Sequence, residues 1–318
     1  MPSWGELLKE VNASVLAGTP NALDAIRQKY LKALSDLTGR DTILYAAKWT
    51  TGSIAGNLIS IVDEDLQGFM EAVYGLKNPN LDLIIHTGGG SAEATDAIVC
   101  YLRQKFENIR VIVPQAAMSA GTMMACSGDT IVMGKHSFLG PIDPQIFSQN
   151  GFIPAHSILE QFGKAQEEIK NDPGKLSSWI PMLSTYGPAL LVLCKNQIEF
   201  GTKLVRSWLD NYMFKGEDGK KATEISGYLS THKNFLTHSK HISLIKAKEI
   251  GLKIVELEDD PTFQEAVLSV FHATMINFNG SAVKIICNQN GNSFIKQQQQ
   301  QQIMQMPFPQ IIQQPPQR

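Results

Sequence analysis

Two stretches of this chain carry residue types suited to acyl chemistry: His86-Thr87-Gly88-Gly89-Gly90-Ser91 and Ala117-Met118-Ser119-Ala120-Gly121-Thr122. Glycines at the carboxyl end of a strand leave backbone N–H groups bare, so a developing oxyanion can approach them closely. Phosphate competes for such a run, but no Gly-Lys-Ser/Thr follows and the G-x-G-x-x-G pattern is unmatched. The purely structural reading of the same glycines is a tight turn needing positive φ. Ser119 stands among Ala116, Ala117, Ala120 and Gly121, where a helix would begin. There its hydroxyl lies beside free N–H groups and the positive end of the helix dipole. A serine that merely caps the helix fits that place too. Where the two stretches meet, the N–H of Ala120 and that of Gly89 or Gly90 face one point. Two donors aimed at one oxyanion each stabilise a transition state by roughly a few kcal/mol.

The elements that must position these groups follow from periodicity. Thr42–Lys48, Leu81–His86, Arg110–Val113 and Thr130–Met133 read as strands, and Asn57–Val62 as a further strand-like run. Helical spacing appears over residues 21–38 (Leu23, Ile26, Tyr30, Leu34, Leu37, after a possible Asn21 cap). It recurs from Asp63 (Leu66, Phe69, Met70, Val73), through Ala94, Ile98, Tyr101, Leu102 and Phe106, and at Ser119–Cys126. This alternation predicts an α/β core over residues 40–150, with parallel strands and right-handed crossovers. Residues 150–280 read as mainly helical: Ile158–Lys170, Pro188–Asn211, Ser243–Gly251 and Pro261–Phe278, with a strand at Lys253–Leu257 and a polar loop at Lys215–Lys221. The expected division is a helical segment at 1–40, a main domain at 41–280, and a disordered tail at 281–318. Residues 297–318 hold 11 Gln and four Pro, too little apolar surface to order themselves.

Composition narrows the classes. A length of 318 residues allows a large core. Lys+Arg 28 against Asp+Glu 30 gives a net charge of −2, with no basic field for nucleic acid. No apolar run approaches the roughly 20 residues of a membrane helix, and the N-terminus lacks a secretory pattern. Cys100, Cys126, Cys194 and Cys287 show no CxxC spacing and read as buried, reduced thiols of a cytoplasmic protein.

Gly88-Gly89-Gly90-Ser91, then Ala117-Met118-Ser119-Ala120-Gly121-Thr122 (Ser119 lies 29 positions after Gly90), then Leu139-Gly-Pro-Ile-Asp-Pro-Gln145 resemble the Clp/crotonase-fold serine peptidases. Within them the chain is most similar to the serine dehydrogenase proteinase family, related to the signal peptide peptidase A peptidases. Trp179–Pro188, Val205–Trp208, Tyr212–Phe214 and Gly251–Leu257 extend the likeness over roughly residues 40–275. The resemblance implies a spiral of ββα units, a peptidase domain at 41–280, Ser119 as nucleophile, and oxyanion donors at Gly89 or Gly90 and Ala120. It also implies a homo-oligomer acting on protein or peptide substrates. Gly88 stands where proline is common, which would loosen the turn but remove no donor.

A serine hydroxyl needs a base, either histidine or a lysine kept neutral by burial. In the Clp peptidases a histidine follows the serine helix; the matching place here is Ile142 or Asp143, and His136 falls short of it. The signal peptide peptidase relatives use a Ser–Lys dyad, for which Lys195 is the candidate: desolvation on the apolar run Ala189–Leu193 would lower its pKa. Lys164 and Lys170 are alternatives, flanked by Gln and Glu as on a solvated face. His86 reads as a satisfied histidine at a strand end or a cleft residue. His232, His238 and His241 make a weak metal signal, and no metal or cofactor is assigned. Asp143 reads as a turn former bonding its own backbone.

The leading expectation is ATP-independent peptide-bond hydrolysis through an acyl-enzyme on Ser119. Two alternatives stand beside it: crotonase-like binding of an acyl-thioester by the same glycines, and a non-catalytic binding scaffold that kept the fold and lost the base.

Overall fold

The computed structural model describes residues 3–51, 54–148 and 151–298. Seven strands form the main sheet: β1 (Asp41–Ala47), β2 (Asn80–His86), β3 (Asn108–Val113), β5 (Thr130–Met133), β10 (Ile254–Glu256), β11 (Ala282–Asn288) and β12 (Ser293–Gln297). Their order is β10-β5-β3-β2-β1-β11-β12. The first five run parallel, while β11 and β12 are antiparallel to their neighbours. Leu44, Ile84, Ile112 and Val132 lie in register across four strands and enter one core, with Ile285 and Cys287 of β11. The residues alternating with them, Tyr45, Ile85, Leu83, Val111 and Ile131, enter the core on the other face. Both faces are covered, so the strands read as continuous apolar runs rather than alternating ones.

Helices α2 (Ala22–Thr38) and α12 (Pro261–Asn277) cover the first face, joined at its edge by α1 (Trp4–Leu16). The second face carries α4 (Asp65–Val73), α5 (Ala92–Lys105), α6 (Ala120–Cys126), α9 (Leu190–Trp208), α10 (Lys220–Ser230) and α11 (Leu244–Glu249). Between β1 and α4 lies the short α3 (Gly56–Ile59). A separate apolar cluster joins α7 (Ala155–Asn171) and a hairpin of β7 (Gln145–Ser148) and β8 (Gly151–Pro154) to α9, and α8 (Leu176–Leu183) follows α7.

A second, smaller layer positions the site. β4 (Ala116–Ala117) runs parallel to β6 (Phe138–Leu139), which pairs antiparallel with β9 (Ile242–Ser243). Single bridges Thr87↔Ala117 and Ile61↔Gly90 extend it on the other side. Each parallel strand is therefore followed by a short piece in the second layer and then a helix: β1, Ile61, α4; β2, Thr87–Gly90, α5; β3, β4, α6. This is the expected spiral of ββα units.

Several expectations are corrected. Residues 282–297 are not tail: β11 is wholly buried between β1 and β12, and its turn at Asn288–Asn292 hides the hairpin in a polar sequence. The glutamine-rich stretch from residue 299 lies outside the described residues. Asn57–Val62 holds α3 rather than a strand, with Ile61 alone bridging. Asn21 is left-handed and caps nothing. Cys100 is exposed, whereas the other three thiols are buried. Among the described residues no helix is long and apolar enough to cross a membrane.

Candidate active site

Ser119 joins β4 to α6 with φ +51° and ψ −120°, a conformation an L-residue adopts only under constraint. The constraint is backbone pairing on both sides. Thr87 N–H donates to Ala116 O (3.1 Å) and Thr87 O accepts from Met118 N–H (3.0 Å). Just beyond, Gly121 N–H bonds Met118 O at 2.8 Å. Thr122 Oγ1 donates to Ala117 O at 2.7 Å and accepts from Gly140 N–H at 2.9 Å, tying α6 to both short strands. The half-buried Ser119 side chain makes no capping bond, so the capping role is not realised and its hydroxyl is left for other chemistry.

The glycine run is pressed against this serine. A Cβ on Gly89, whose φ is +99°, would lie 2.8 Å from Ser119 Cβ and 2.7 Å from Met118 O; only glycine fits. Gly88 is not slack: its Cα approaches the Trp49 indole so closely that a Cβ would stand 3.2 Å from the ring. Gly89 N–H already donates to Thr87 Oγ1 at 3.1 Å. The N–H of Gly90 and that of Ala120, in the first turn of α6, have no backbone acceptor among the described residues. Of the donors expected from the sequence, these two are the ones left without a backbone partner.

Lys195 lies exposed on α9, next to the buried Cys194, so the expected desolvation of its amine is not found. Its helix still borders the site: Gln197 Nε2 reaches Glu93 Oε1 at 3.4 Å, in the first turn of α5. Lys164 and Lys170 are not buried on α7 either. His86 is wholly buried between Trp49 and Phe271, with ring centroids at 5.7 and 5.2 Å. Neither of its nitrogens has a partner among the described residues, and burial pulls its pKa down to about 4. It is a core residue, neither a satisfied histidine nor a cleft base.

Asp143 gathers a polar cluster that the sequence does not announce. Its buried carboxylate accepts from His238 Nδ1 through Oδ1 (2.7 Å) and from His232 Nδ1 through Oδ2 (2.9 Å), and Gln145 Nε2 adds a bond at 3.2 Å. The turn-forming role expected of it is therefore corrected. Two short strand pairings make the meeting. β6 and β9 pair as Phe138↔Ser243 and Leu139↔Ile242, and just past this pairing Ile142 N–H donates to Leu229 O, at the end of α10, three residues before His232. β4 and β6 pair as Ala116↔Phe138 and Ala117↔Leu139, and the Gly140 N–H bond to Thr122 Oγ1 holds the exit of β6 against α6. Gly140 packs against Met118, where a Cβ would stand 2.7 Å from its Cε. A neutral ring that donates from Nδ1 to the carboxylate keeps the lone pair on Nε2, the tautomer a general base needs. The His238 side chain is the more exposed of the two, 27% against 15%. His241 instead stacks on Phe138 at 4.6 Å.

A model of the ClpP-like SDH-type serine proteinases matches residues 64–302. Two uncharacterized proteins of Methanocaldococcus jannaschii are 33% and 32% identical to this chain, over 55% and 73% of its length. The matched regions are 51% and 74% of those proteins, so the chain spans about half the length of the first. Among solved structures, a substrate-peptide complex of a mutant of the membrane-bound stomatin-specific protease 1510-N is 18% identical, with a TM-score of 0.38 over 62% of this chain and 70% of that one. A ClpP1 mutant from Listeria monocytogenes is 13% identical, with a TM-score of 0.35 over 73% of this chain and 98% of that one.

Proposed function

This chain belongs to the ClpP-like SDH-type serine proteinases, and from that premise we propose that it hydrolyses peptide bonds through an acyl-enzyme on Ser119, with His238 as general base. The observation that carries this reading is the serine itself, held at positive φ, uncapped, with Gly89 against its Cβ.

The steps follow from the groups present. His238 Nε2 takes the hydroxyl proton as Ser119 Oγ bonds to the peptide carbonyl carbon. The carbonyl oxygen, now negative, meets the N–H groups of Gly90 and Ala120. Asp143 holds the ring by Nδ1 and steadies the imidazolium. That imidazolium returns the proton to the amine as the C–N bond breaks, and a water activated by the same ring releases the acyl group. No nucleotide enters. Lys195 is the second reading for the base, favoured by the position of α9 beside α5. A homo-oligomer belongs to the proposal: Phe147 and Phe152, 75% and 71% exposed, meet edge to face at the tip of the β7–β8 hairpin. An apolar tip of that kind is one a second copy covers.

A fluorophosphonate probe, which traps an activated serine whatever its natural substrate, tests the reading. The wild-type chain should be labelled on Ser119 and Ser119→Ala should not. Equal labelling of the two, or labelling of neither, overturns it.

A further inference from the structure

Lys284 occupies the middle of β11 and is fully buried, an expensive place for an ammonium. Its Nζ donates to both oxygens of the equally buried Asp65, each at 2.8 Å, and to Ser60 O at 2.7 Å. Asp65 Oδ2 also accepts from Tyr45 Oη at 2.9 Å and from Val62 N–H at 3.2 Å. Lys296 stands 3.7 Å from Oδ1. The pair thus grips the chain on both sides of Ile61: the carbonyl before it and the N–H after it.

Ile61 in turn grips the glycine run. Its N–H donates to Gly89 O and its carbonyl accepts from Ser91 N–H, both at 2.9 Å. The contact is so close that a Cβ on Gly90 would stand 2.3 Å from Ile61 N. A trans peptide unit is planar, with its C=O and N–H pointing opposite ways. Fixing Gly89 O on Ile61 therefore fixes Gly90 N–H on the far side, away from Ile61. On that side lie Thr87, bridged to Ala117, and Ser119 itself. Tyr45 completes the frame, since its hydroxyl also faces the Thr87 side chain that holds Gly89 N–H.

We infer that Lys284 and Asp65 are positioning residues which, through Ile61, aim the Gly90 N–H at the oxyanion formed on Ser119. This rests on the serine-peptidase reading above. An apolar pair would fill the same space without the desolvation cost. It would not hold the Ser60 carbonyl and the Val62 N–H, and that hold is what the charges supply.

The test compares the Lys284→Met/Asp65→Leu double variant, which leaves no unpaired buried charge, with wild type. Both are titrated with a fluorophosphonate, whose phosphoryl oxygen occupies the oxyanion position, and both are melted. The expected double variant melts within a few degrees of wild type and binds the probe with the same apparent affinity, but its inactivation step is slowed about 10–100-fold, a partial loss of one oxyanion donor. A double variant that is both stable and as fast as wild type overturns the inference while the peptidase reading stands. Where the double variant does not fold, Asp65→Asn answers: about 3–10-fold slower inactivation supports the inference and a wild-type rate overturns it. Absence of labelling in the wild type, or labelling that survives Ser119→Ala, overturns the reading of the site and the inference with it.

Discussion

The two halves of the candidate centre are made of different material. The nucleophile half is mainly backbone: Gly89, Gly90, Ser119 and Ala120 are marked by φ angles, N–H groups and the absence of Cβ atoms, and what surrounds them is backbone of Met118 and Ile61 and both backbone and hydroxyl of Thr87. The base half is side chain: Asp143, His232 and His238 meet across 89 and 95 positions of sequence. Backbone devices constrain residue type within a short run. Side-chain meetings are set by strand register and leave little local trace.

That contrast can be broken most sharply at Asp143. An amide in place of the carboxylate turns an NH2 toward one of the two Nδ1–H groups, so Asp143→Asn should slow fluorophosphonate inactivation by roughly 10³–10⁴-fold with little change in melting temperature. A wild-type inactivation rate would place the base elsewhere. In the other half, Gly89→Ala forces a Cβ into Ser119 and Met118 at a φ that alanine resists. The rate should fall about 10²–10³-fold and stability by roughly 1–3 kcal/mol, read by chemical denaturation. Lys195→Ala separates the two candidate bases: exposed on α9, it should stay within about twofold of the wild-type rate. A loss of about 10²-fold or more, the scale of a lost general base, would restore the Ser–Lys dyad.

The smallest effect is on stability alone. His86 is held neutral by burial, with a pKa near 4 against an ordinary 6.5. Between those values the unfolded chain binds more protons than the folded one, so stability rises with pH through the window and levels off on either side. The span amounts to about 3 kcal/mol. His86→Phe should flatten that slope in denaturation curves taken across the same window, and an unchanged slope would assign it to other groups.

How much of this is legible in the sequence follows the same division. The α/β core and the trio Gly89, Gly90 and Ser119 can be read because strand, glycine turn and helix start follow one another within a few residues, and the spiral follows from the family resemblance those motifs carry. Asp143 and His238 cannot, because β6 and β9 are two residues long and no periodicity marks a pair that short. The signal that exists is the Gly140-Pro-Ile-Asp143 stretch and a later run holding three histidines, whose spacing alone reads as no more than a weak metal signal. Lys195 shows that an apolar run need not be a buried one. Within Ala189–Leu193, Val192 and Leu193 are 57% and 46% exposed, and just after them Cys194 is covered. β11 is hidden by the lysine at its centre, which reads as a surface residue until Asp65, more than two hundred positions earlier, is found beneath it.

In the proposed mechanism the two halves form one centre, with backbone donors on one side of Ser119 and an Asp-held imidazole on the other. A crystal structure of the fluorophosphonate-treated protein measures this directly. The expected adduct is on Ser119 Oγ, its phosphoryl oxygen within hydrogen-bonding distance of the N–H groups of Gly90 and Ala120, and Nε2 of His238 beside Oγ. An adduct with the oxygen turned away from those N–H groups, or with the Lys195 ammonium where the imidazole should stand, would contradict it.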